Sequence, residues 1–287
     1  MHEGKWFDQP RAKAKGIESL MPMKQQTRRQ FIWTSAVSLA VLPVATPGKV
    51  GRPWSIGFST LGCPSWPWVK ILNFAHQSGF DAIELRVLQG ATDLPGCQEF
   101  SPARISDSRK ELAARGLHVS CVSCSATMHD PEPQKHEEQL ADARRFIDLA
   151  SALRAPYVRV FGDTMVMARD QAIRHIARSL RQLGEYSGPK NVTVLIESHG
   201  DFTDSATLRS ILEEADSHHV ALLWDAHNTF VDGKEDPMFT LTEIGKYVRH
   251  VHLKDSVPRQ NSIRMENPRV TLLHPLPIWR DGNVADW

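Results

Sequence analysis

The sequence has no long apolar run and almost no net charge, and each absence excludes a class of partner. No stretch reaches the roughly 20 apolar residues that a membrane-spanning helix needs. The 34 basic and 33 acidic residues give a formal net charge of +1, so no global attraction to nucleic acid or to an anionic membrane is expected. We therefore predict a globular protein with no nucleic-acid partner and no stable membrane span.

Glycine-rich phosphate loops are also missing. Neither a G-x-G-x-x-G segment nor a P-loop occurs, which disfavours an open sheet that binds nucleotides and makes phosphorylated substrates less expected. Cysteine is scarce, with four residues. Cys121 and Cys124 have redox or zinc spacing but no second pair, so a structural role is favoured. Cys63 and Cys97 fall in loops that could be neighbours, which leaves a disulfide open.

The N-terminal region has the pattern of an export signal. Residues 27–32 read TRRQFI, an apolar stretch spans 31–44, and small residues with Pro47 and Gly48 follow. Paired arginines before an apolar region are typical of a twin-arginine signal. We predict an N-terminal extension and signal over 1–48, a single folded domain over 49–287, and a periplasmic or extracellular location. The alternative is a chance arginine pair before an amphipathic helix.

Strands and helices alternate after residue 49. Short apolar runs predict seven strands at 54–59, 82–85, 118–122, 157–161, 192–197, 220–225 and 249–253. Three-to-four spacing of apolar residues between them predicts helices, as in Ile173, Ile176, Ala177, Leu180 and Leu183. Repeated βαβ units predict a parallel sheet, and eight such units form a (β/α)8 TIM barrel of about 250 residues.

The C-terminal region departs from that pattern. A possible eighth strand occupies 270–273, but residues 274–287 contain two prolines and no apolar periodicity, so a full closing helix is not expected. We therefore predict an α/β barrel that is incomplete at the C-terminus, either short by one helix or altered near its end.

Three strand ends carry candidate metal ligands. Glu197 ends the apolar run at 192–196, Asp225 ends the run at 220–224, and His252 lies on the following strand, where alternation places His250 on the same face. Barrel active sites form at such strand ends. Two carboxylates and one imidazole suit Mn²⁺, Mg²⁺ or Co²⁺, with Zn²⁺ possible. The alternatives are a solvated Glu197 and a satisfied core histidine.

Arg159 is a further candidate on the strand at 157–161. Alternation sends it to the opposite face from Val158 and Val160. The side chain either enters the barrel and binds an anionic or hydroxylated substrate, or pairs with a buried carboxylate, and the sequence leaves both open.

Four segments together resemble the xylose-isomerase-like TIM-barrel superfamily, which includes the sugar phosphate isomerase/epimerase family. They are GFDAIELR at 79–86, IESH at 196–199, WDAH at 224–227 and HLKD at 252–255. The resemblance implies that Glu197, Asp225 and His252 ligate the metal. It also implies a substrate or support contact from Glu84 and substrate contacts from His199 and Lys254.

Two departures from the family pattern stand out. Many relatives have a histidine three residues after the strand-six aspartate, where this chain has Asn228, and we take the adjacent His227 as a substrate-binding candidate. Relatives also bring a second glutamate on strand eight. After His252 this chain has a single glutamate, Glu266, in a polar stretch before 270–273.

The resemblance implies a metal-dependent sugar isomerase or epimerase that transfers a proton next to a metal-bound carbonyl or hydroxyl, with Glu197 as one base. The missing strand-eight glutamate supports an alternative, a catalytically impaired or truncated barrel that only binds metal or carbohydrate. A related lyase or dehydratase is less expected. An enzyme of the endonuclease IV type fits poorly, because it needs more histidine ligands and a basic face.

Overall fold

A closed ring of strands dominates the computed structural model, which describes residues 55–254 and the backbone of 257–259, 262–264 and 270–273. Seven strands run parallel to one another in chain order. They are β1 Ser55–Ser59, β2 Ala82–Leu85, β3 His118–Thr127, β4 Tyr157–Phe161, β5 Thr193–Glu197, β6 Val220–Asp225 and β7 Val248–Leu253. All seven were predicted from the apolar runs, and β3 extends farther than predicted.

Helices follow most of the strands and pack on the outside of the ring. They are α1 Trp68–Gln77, α2 Ile105–Ala113, α3 Pro133–Leu153, α4 Arg169–Ser187, α5 Ser205–Ala215, α6 Ala226–Val231 and α7 Pro237–Ile244. Short 3₁₀ turns occupy Thr60–Gly62, Leu94–Gly96, Gln98–Phe100, Gly188–Lys190 and Gly245–Tyr247. The spacing of Ile176, Ala177, Leu180 and Leu183 in α4 buries one stripe against the sheet.

The eighth position of the ring is filled by a strand that runs in the opposite direction. Two short strands, β8 Val257–Arg259 and β9 Ser262–Arg264, pair as a hairpin after β7, and β10 Val270–Leu273 then pairs antiparallel with both β7 and β1. The barrel order is β1-β10-β7-β6-β5-β4-β3-β2. The predicted (β/α)8 barrel with an atypical eighth unit is therefore confirmed.

The direction of β10 follows from its connection. A parallel eighth strand would need a crossover, usually a helix, to return the chain to the other end of the barrel. Here Val270 pairs with Leu253, the last residue of β7, and Leu273 pairs with His250. The chain therefore turns back at the end of the barrel where β7 stops.

Side chains fill the barrel interior in layers. Leu195, Ala221 and Leu223 form a buried apolar cluster with Tyr157 packed against it. Two residues farther along the strands, the interior becomes polar. Strands β5 and β6 end there at Glu197 and Asp225, at the C-terminal end of the parallel strands.

The predicted twin-arginine signal lies outside the described residues and remains a prediction, and Glu266 also lies outside them. None of the helices in the described part of the chain is long and apolar enough to cross a membrane. The four cysteines are free thiols, so Cys63 and Cys97 are not paired. Cys121 and Cys124 are fully buried in β3, which agrees with a structural role.

Candidate metal centre

The structure brings the three candidate ligands together inside the barrel. Glu197, Asp225 and His252 each present one ligand atom, these atoms lie within 4.8 Å of one another, and all three side chains are fully buried. The strand register explains the meeting, since Asp225 and His252 are direct neighbours across β6 and β7. Glu197 reaches the same point from β5, with His252 Nδ1 lying 3.3 Å from Glu197 Oε1 and 3.8 Å from Asp225 Oδ2.

The second nitrogen of His252 points the other way, toward Glu84. Nε2 of His252 lies 2.5 Å from Oε2 of Glu84, across the barrel from β7 to β2. A carboxylate accepts hydrogen bonds, so Nε2 carries the hydrogen and Nδ1 faces Glu197 and Asp225. A carboxylate that fixes the orientation of a ligating histidine in this way is a common support for metal sites.

Glu84 is held by four donors. Its Oε2 also accepts from His250 Nε2 at 3.2 Å, while Oε1 accepts from the hydroxyls of Ser59 and Ser123 at 3.2 and 3.0 Å. Glu84, His250 and His252 also have ligand atoms close enough to hold an ion. The group of Glu197, Asp225 and His252 is the better candidate for the ion, because it offers two carboxylates whereas the other group offers Glu84 alone.

The charges of this network perturb the ionisation of its members. Burial by itself would lower the pKa of His252, but the carboxylates of Glu84 and Glu197 outweigh that effect and raise the pKa to about 9. Burial opposes ionisation of Glu84, yet His252 and His250 hold the pKa of Glu84 well below its usual range. Burial also lowers the pKa of His250. Without an ion, His252 and Glu84 therefore form a buried ion pair.

A second network positions Asp225. Lys254 Nζ lies 2.9 Å from Asp225 Oδ2 and donates to Asn228 Oδ1 at 2.6 Å. The other oxygen of Asp225 accepts from the backbone N–H of Asn228 and so caps α6. Ser198 completes the network, since its hydroxyl accepts from the Asp225 N–H and its carbonyl accepts from the Asn228 amide.

Arg159 enters the barrel and pairs there with a buried carboxylate, which is one of the two roles that the sequence left open; its role in substrate binding stays a prediction. The side chain is fully buried inside the barrel, and its Nε lies 3.0 Å from Glu197 Oε2. The NH1 group donates to the carbonyl of Cys124 at 2.8 Å, and the guanidinium stacks 3.8 Å from the ring of Phe161. Arg159 thus pairs with a buried carboxylate, and it also lies beside the candidate catalytic residue.

The two remaining histidine candidates lie after the strand ends. His199 is 37% exposed, its ring centroid is 4.7 Å from that of Phe161, and its Nδ1 lies 3.9 Å from Asp163 Oδ1. Burial lowers the pKa of His199, so it is neutral at pH 7. His227 is half-buried in the first turn of α6. Both follow the ends of strands that carry the candidate ligands, β5 for His199 and β6 for His227.

Sequence reasoning did not assign roles to His250, Asn228 and Ser123. The alternation of His250 with His252 was a usable signal for an inward-facing pair. The hydrogen bonds of Asn228 to Lys254 and of Ser123 to Glu84 depend on contacts between residues far apart in the chain, and no local pattern predicts them.

Comparison with protein families adds an independent observation. The family described as "Xylose isomerase-like TIM barrel" matches residues 72–286, which is most of the chain. This chain belongs to that family. The match includes every candidate site residue named above from β2 onward. No curated protein is significantly similar to the chain in sequence.

Solved structures of several enzymes and of one xylose isomerase-like barrel share the fold at low identity. A probable 3-DHS dehydratase, AsbF of Bacillus anthracis, has a TM-score of 0.60 and 17% identity, covering 70% of this chain and 73% of its own. The D-psicose 3-epimerase of Clostridium cellulolyticum H10 has a TM-score of 0.60 and 14% identity, covering 72% and 76%. A xylose isomerase-like protein of Mycobacterium smegmatis in complex with magnesium has values of 0.56 and 21%, covering 75% and 80%.

The donor set in this barrel fits a divalent cation. Two carboxylates and one imidazole nitrogen converge in a buried space, and the histidine is already oriented by Glu84. Buried charges of this kind are retained in proteins when they are paired or bind a metal. Hard oxygen donors with one imidazole suit Mn²⁺, Mg²⁺ or Co²⁺ and also accept Zn²⁺.

Proposed function

We propose that this protein is a metal-dependent sugar isomerase or epimerase whose metal ion is bound by Glu197, Asp225 and His252. The observation that carries the proposal is the convergence of these three buried side chains at the C-terminal ends of β5, β6 and β7. Family membership and the likeness to a D-psicose 3-epimerase support a sugar or polyol as substrate. The magnesium complex of the mycobacterial barrel supports a divalent ion.

A divalent ion bound there would supply Lewis-acid polarisation of a substrate carbonyl or hydroxyl. Proton transfer and the positioning of the reacting groups would depend on side chains of the protein. Glu197 is the candidate base, because its carboxylate lies at the strand end where a substrate would meet the centre. Arg159 stabilises the ionised form of Glu197 from 3.0 Å and limits its rotation. Glu84 holds the ring of His252 in one orientation.

The groups after the strand ends would bind the hydroxyls of the substrate. Lys254 is fixed beside Asp225 by Asn228, and His199 is partly exposed and neutral, so it both donates and accepts hydrogen bonds. His227, half-buried beside Asn228, is proposed for the same role.

A second candidate function is a barrel that binds metal or carbohydrate without turnover. The specific observation in its favour is the direction of β10, whose C-terminal residue Leu273 pairs with Ser55 and His250, at the end of the barrel away from the centre. Among the described residues, β10, which takes the eighth position of the barrel, therefore brings no second carboxylate to the centre. The likeness to AsbF also keeps a related dehydratase as a candidate.

Two measurements test the proposal. Metal analysis of the purified protein after incubation with Mn²⁺, Co²⁺ or Zn²⁺ should give about one ion per chain, and Asp225→Ala should abolish it. Incubation of the metal-loaded protein with a panel of ketoses and aldoses in D₂O should then incorporate deuterium at one carbon. If the wild type binds no ion, the proposal is wrong. If it binds an ion but incorporates deuterium into none of the sugars, the second candidate, a barrel that binds without turnover, is favoured.

We propose further that the chain is exported by the twin-arginine route to the periplasm or the extracellular space. The motif TRRQFI at 27–32 and the apolar stretch that follows support it. Replacement of Arg28 and Arg29 by lysine should retain the protein in the cytoplasm of a twin-arginine-competent bacterium, as measured by fractionation. Unchanged export of that variant would contradict the proposal.

A further inference from the structure

Two arginines lie next to each other beside the candidate centre, on the side formed by β2, β3 and β4. Arg86 directly follows β2, and its NH1 donates to Ser125 Oγ at 2.8 Å and approaches the carbonyl of Ser123 at 3.5 Å. Arg159 on β4 donates to the carbonyl of Cys124 at 2.8 Å. Both guanidinium groups therefore form hydrogen bonds with consecutive residues of β3, from Ser123 to Ser125.

A local irregularity in β3 makes these attachments available. The register between β3 and β4 shifts between Ser123 and Thr127, where four steps along β3 correspond to two along β4. Bulges of this kind interrupt the ladder and are frequent beside active sites. The carbonyl of Cys124 then accepts from Arg159, so the bulge anchors the guanidinium in place.

The position of Arg159 leaves part of its hydrogen-bonding capacity unused. Its NH2 group is buried and has no hydrogen-bond partner among the described residues. A buried guanidinium N–H without an acceptor is costly. Burial, together with a smaller effect of repulsion from Arg159, lowers the pKa of Arg86 to about 10. Arg86 and Arg159 thus repel each other, and the NH2 group of Arg159 lacks an acceptor. A bound anion would reduce the repulsion and supply the acceptor.

The charge balance of the centre points the same way. Once His252 is neutral, as ligation of an ion requires, three cationic side chains offset three carboxylates around the candidate ligands: Arg86, Arg159 and Lys254 against Glu84, Glu197 and Asp225. A divalent ion added to this set would introduce two positive charges that these side chains do not compensate. A substrate with a negative group would offset part of that excess, whereas a neutral sugar would not.

We infer that Arg86 and Arg159 form an anion subsite and that the substrate of this barrel carries a carboxylate, as a sugar acid or polyhydroxy acid does. The inference rests on the proposed function for the position of the substrate, and it narrows the substrate from sugars in general to acidic ones. A carboxylate is favoured over a phosphate because guanidinium groups bind carboxylates in a planar, two-pronged geometry and the described loops contain no glycine-rich phosphate cradle.

Ligand binding tests the inference without relying on turnover. Calorimetry on the full metal-loaded protein would compare aldonates with the alditols of equal chain length, namely erythronate with erythritol, ribonate with ribitol and gluconate with glucitol. A comparison of ribose 5-phosphate with ribose measures the gain in affinity from a phosphate in the same way. We expect at least one aldonate to bind roughly tenfold tighter than its alditol. A tenfold difference in affinity corresponds to about 1.4 kcal/mol, which is close to the net contribution of one hydrogen bond to a charged group.

Variants separate the arginines from the ion, because a carboxylate would also ligate a metal. Arg86→Gln should remove most of the advantage of the aldonate, Arg86→Lys should keep part of it, and Arg174→Gln, on the exposed face of α4, should keep all of it. The inference is overturned if no aldonate outbinds its alditol, if the advantage survives Arg86→Gln, or if ribose 5-phosphate gains more over ribose than ribonate gains over ribitol.

The same titrations distinguish this inference from the proposed function. If the protein binds its ion but shows no preference for aldonates, the anion subsite fails and the metal centre stands. If the protein binds no ion but prefers aldonates in a manner that requires Arg86, the metal centre fails and the anion subsite stands.

Discussion

Metal binding at this centre should release about one proton per ion near pH 7.5. The reason lies in His252, whose pKa is raised to about 9 in the metal-free protein by the carboxylates of Glu84 and Glu197, against the effect of burial. The imidazole is therefore almost fully protonated at pH 7.5. A metal ligand must be neutral at the coordinating nitrogen, so Nδ1 has to lose its proton when the ion binds.

The same argument fixes how affinity depends on pH. Below a pKa of about 9, each unit of decrease in pH costs one factor of ten in apparent affinity, or about 1.4 kcal/mol, as long as one proton is displaced. The slope of log affinity against pH should therefore be close to one in that range.

Calorimetry with Mn²⁺ measures the proton release directly. Titrations at pH 7.5 in buffers with different enthalpies of ionisation give apparent binding enthalpies whose slope against the buffer enthalpy is the number of protons released. The wild type should give a value near one. Glu84→Gln is the matched variant, because it removes a carboxylate that raises the pKa of His252 while leaving all three ligands in place.

The variant should still bind one ion and should release clearly less than one proton. A wild type that binds one ion with no proton release would refute the reasoning, since His252 would then be neutral before binding. Equal release by the wild type and Glu84→Gln would also refute it, because the charge of Glu84 would then have no part in holding the proton.

Two further predictions concern stability. The folded-state pKa of His252 lies above the unfolded value of about 6.5, so its stabilisation of the metal-free protein is complete below pH 6.5 and is lost as pH rises through about 9. Urea unfolding should therefore show a loss of up to about 3 kcal/mol over that range, and a flat profile would contradict the ion pair. Gly200 has φ +61° and an added Cβ would lie 2.1 Å from the backbone oxygen of Asp163, so Gly200→Ala should destabilise the protein by more than about 1 kcal/mol. Gly116→Ala, with φ +66° and open space around it, isolates the backbone strain, and equal urea midpoints for the two variants would show that the clash has no effect.

The strand ends of the centre were predictable because they depend on local pattern. The apolar runs of β5 and β6 stop at Glu197 and Asp225, and His252 lies one residue before the end of β7. Parallel strands place their C-terminal ends at one edge. That logic located Glu197, Asp225 and His252 without any knowledge of long-range contacts. It also placed His250 on the same face as His252, and both side chains are buried inside the barrel.

The support given by Glu84 was less accessible from the sequence. The hydrogen bond between His252 and Glu84 joins residues 168 positions apart, on β7 and β2, which are not neighbours in the ring. Their meeting depends on how the closed barrel curves and on how far each side chain reaches across it. Family resemblance suggested a role for Glu84 in substrate binding or support, and the geometry favours support.

The direction of β10 carries the largest consequence for the chemistry. Each parallel strand of a barrel delivers its last residues to the centre, but an antiparallel strand delivers its first. Val270 lies beside Leu253 near the centre, and Leu273 lies beside Ser55 at the opposite end. Among the described residues, β10 therefore brings its first residue, Val270, nearest to the centre and supplies no carboxylate there. Glu266 precedes Val270 in the sequence and lies outside the described residues, so its part as a fourth ligand or second base stays open to test by Glu266→Gln.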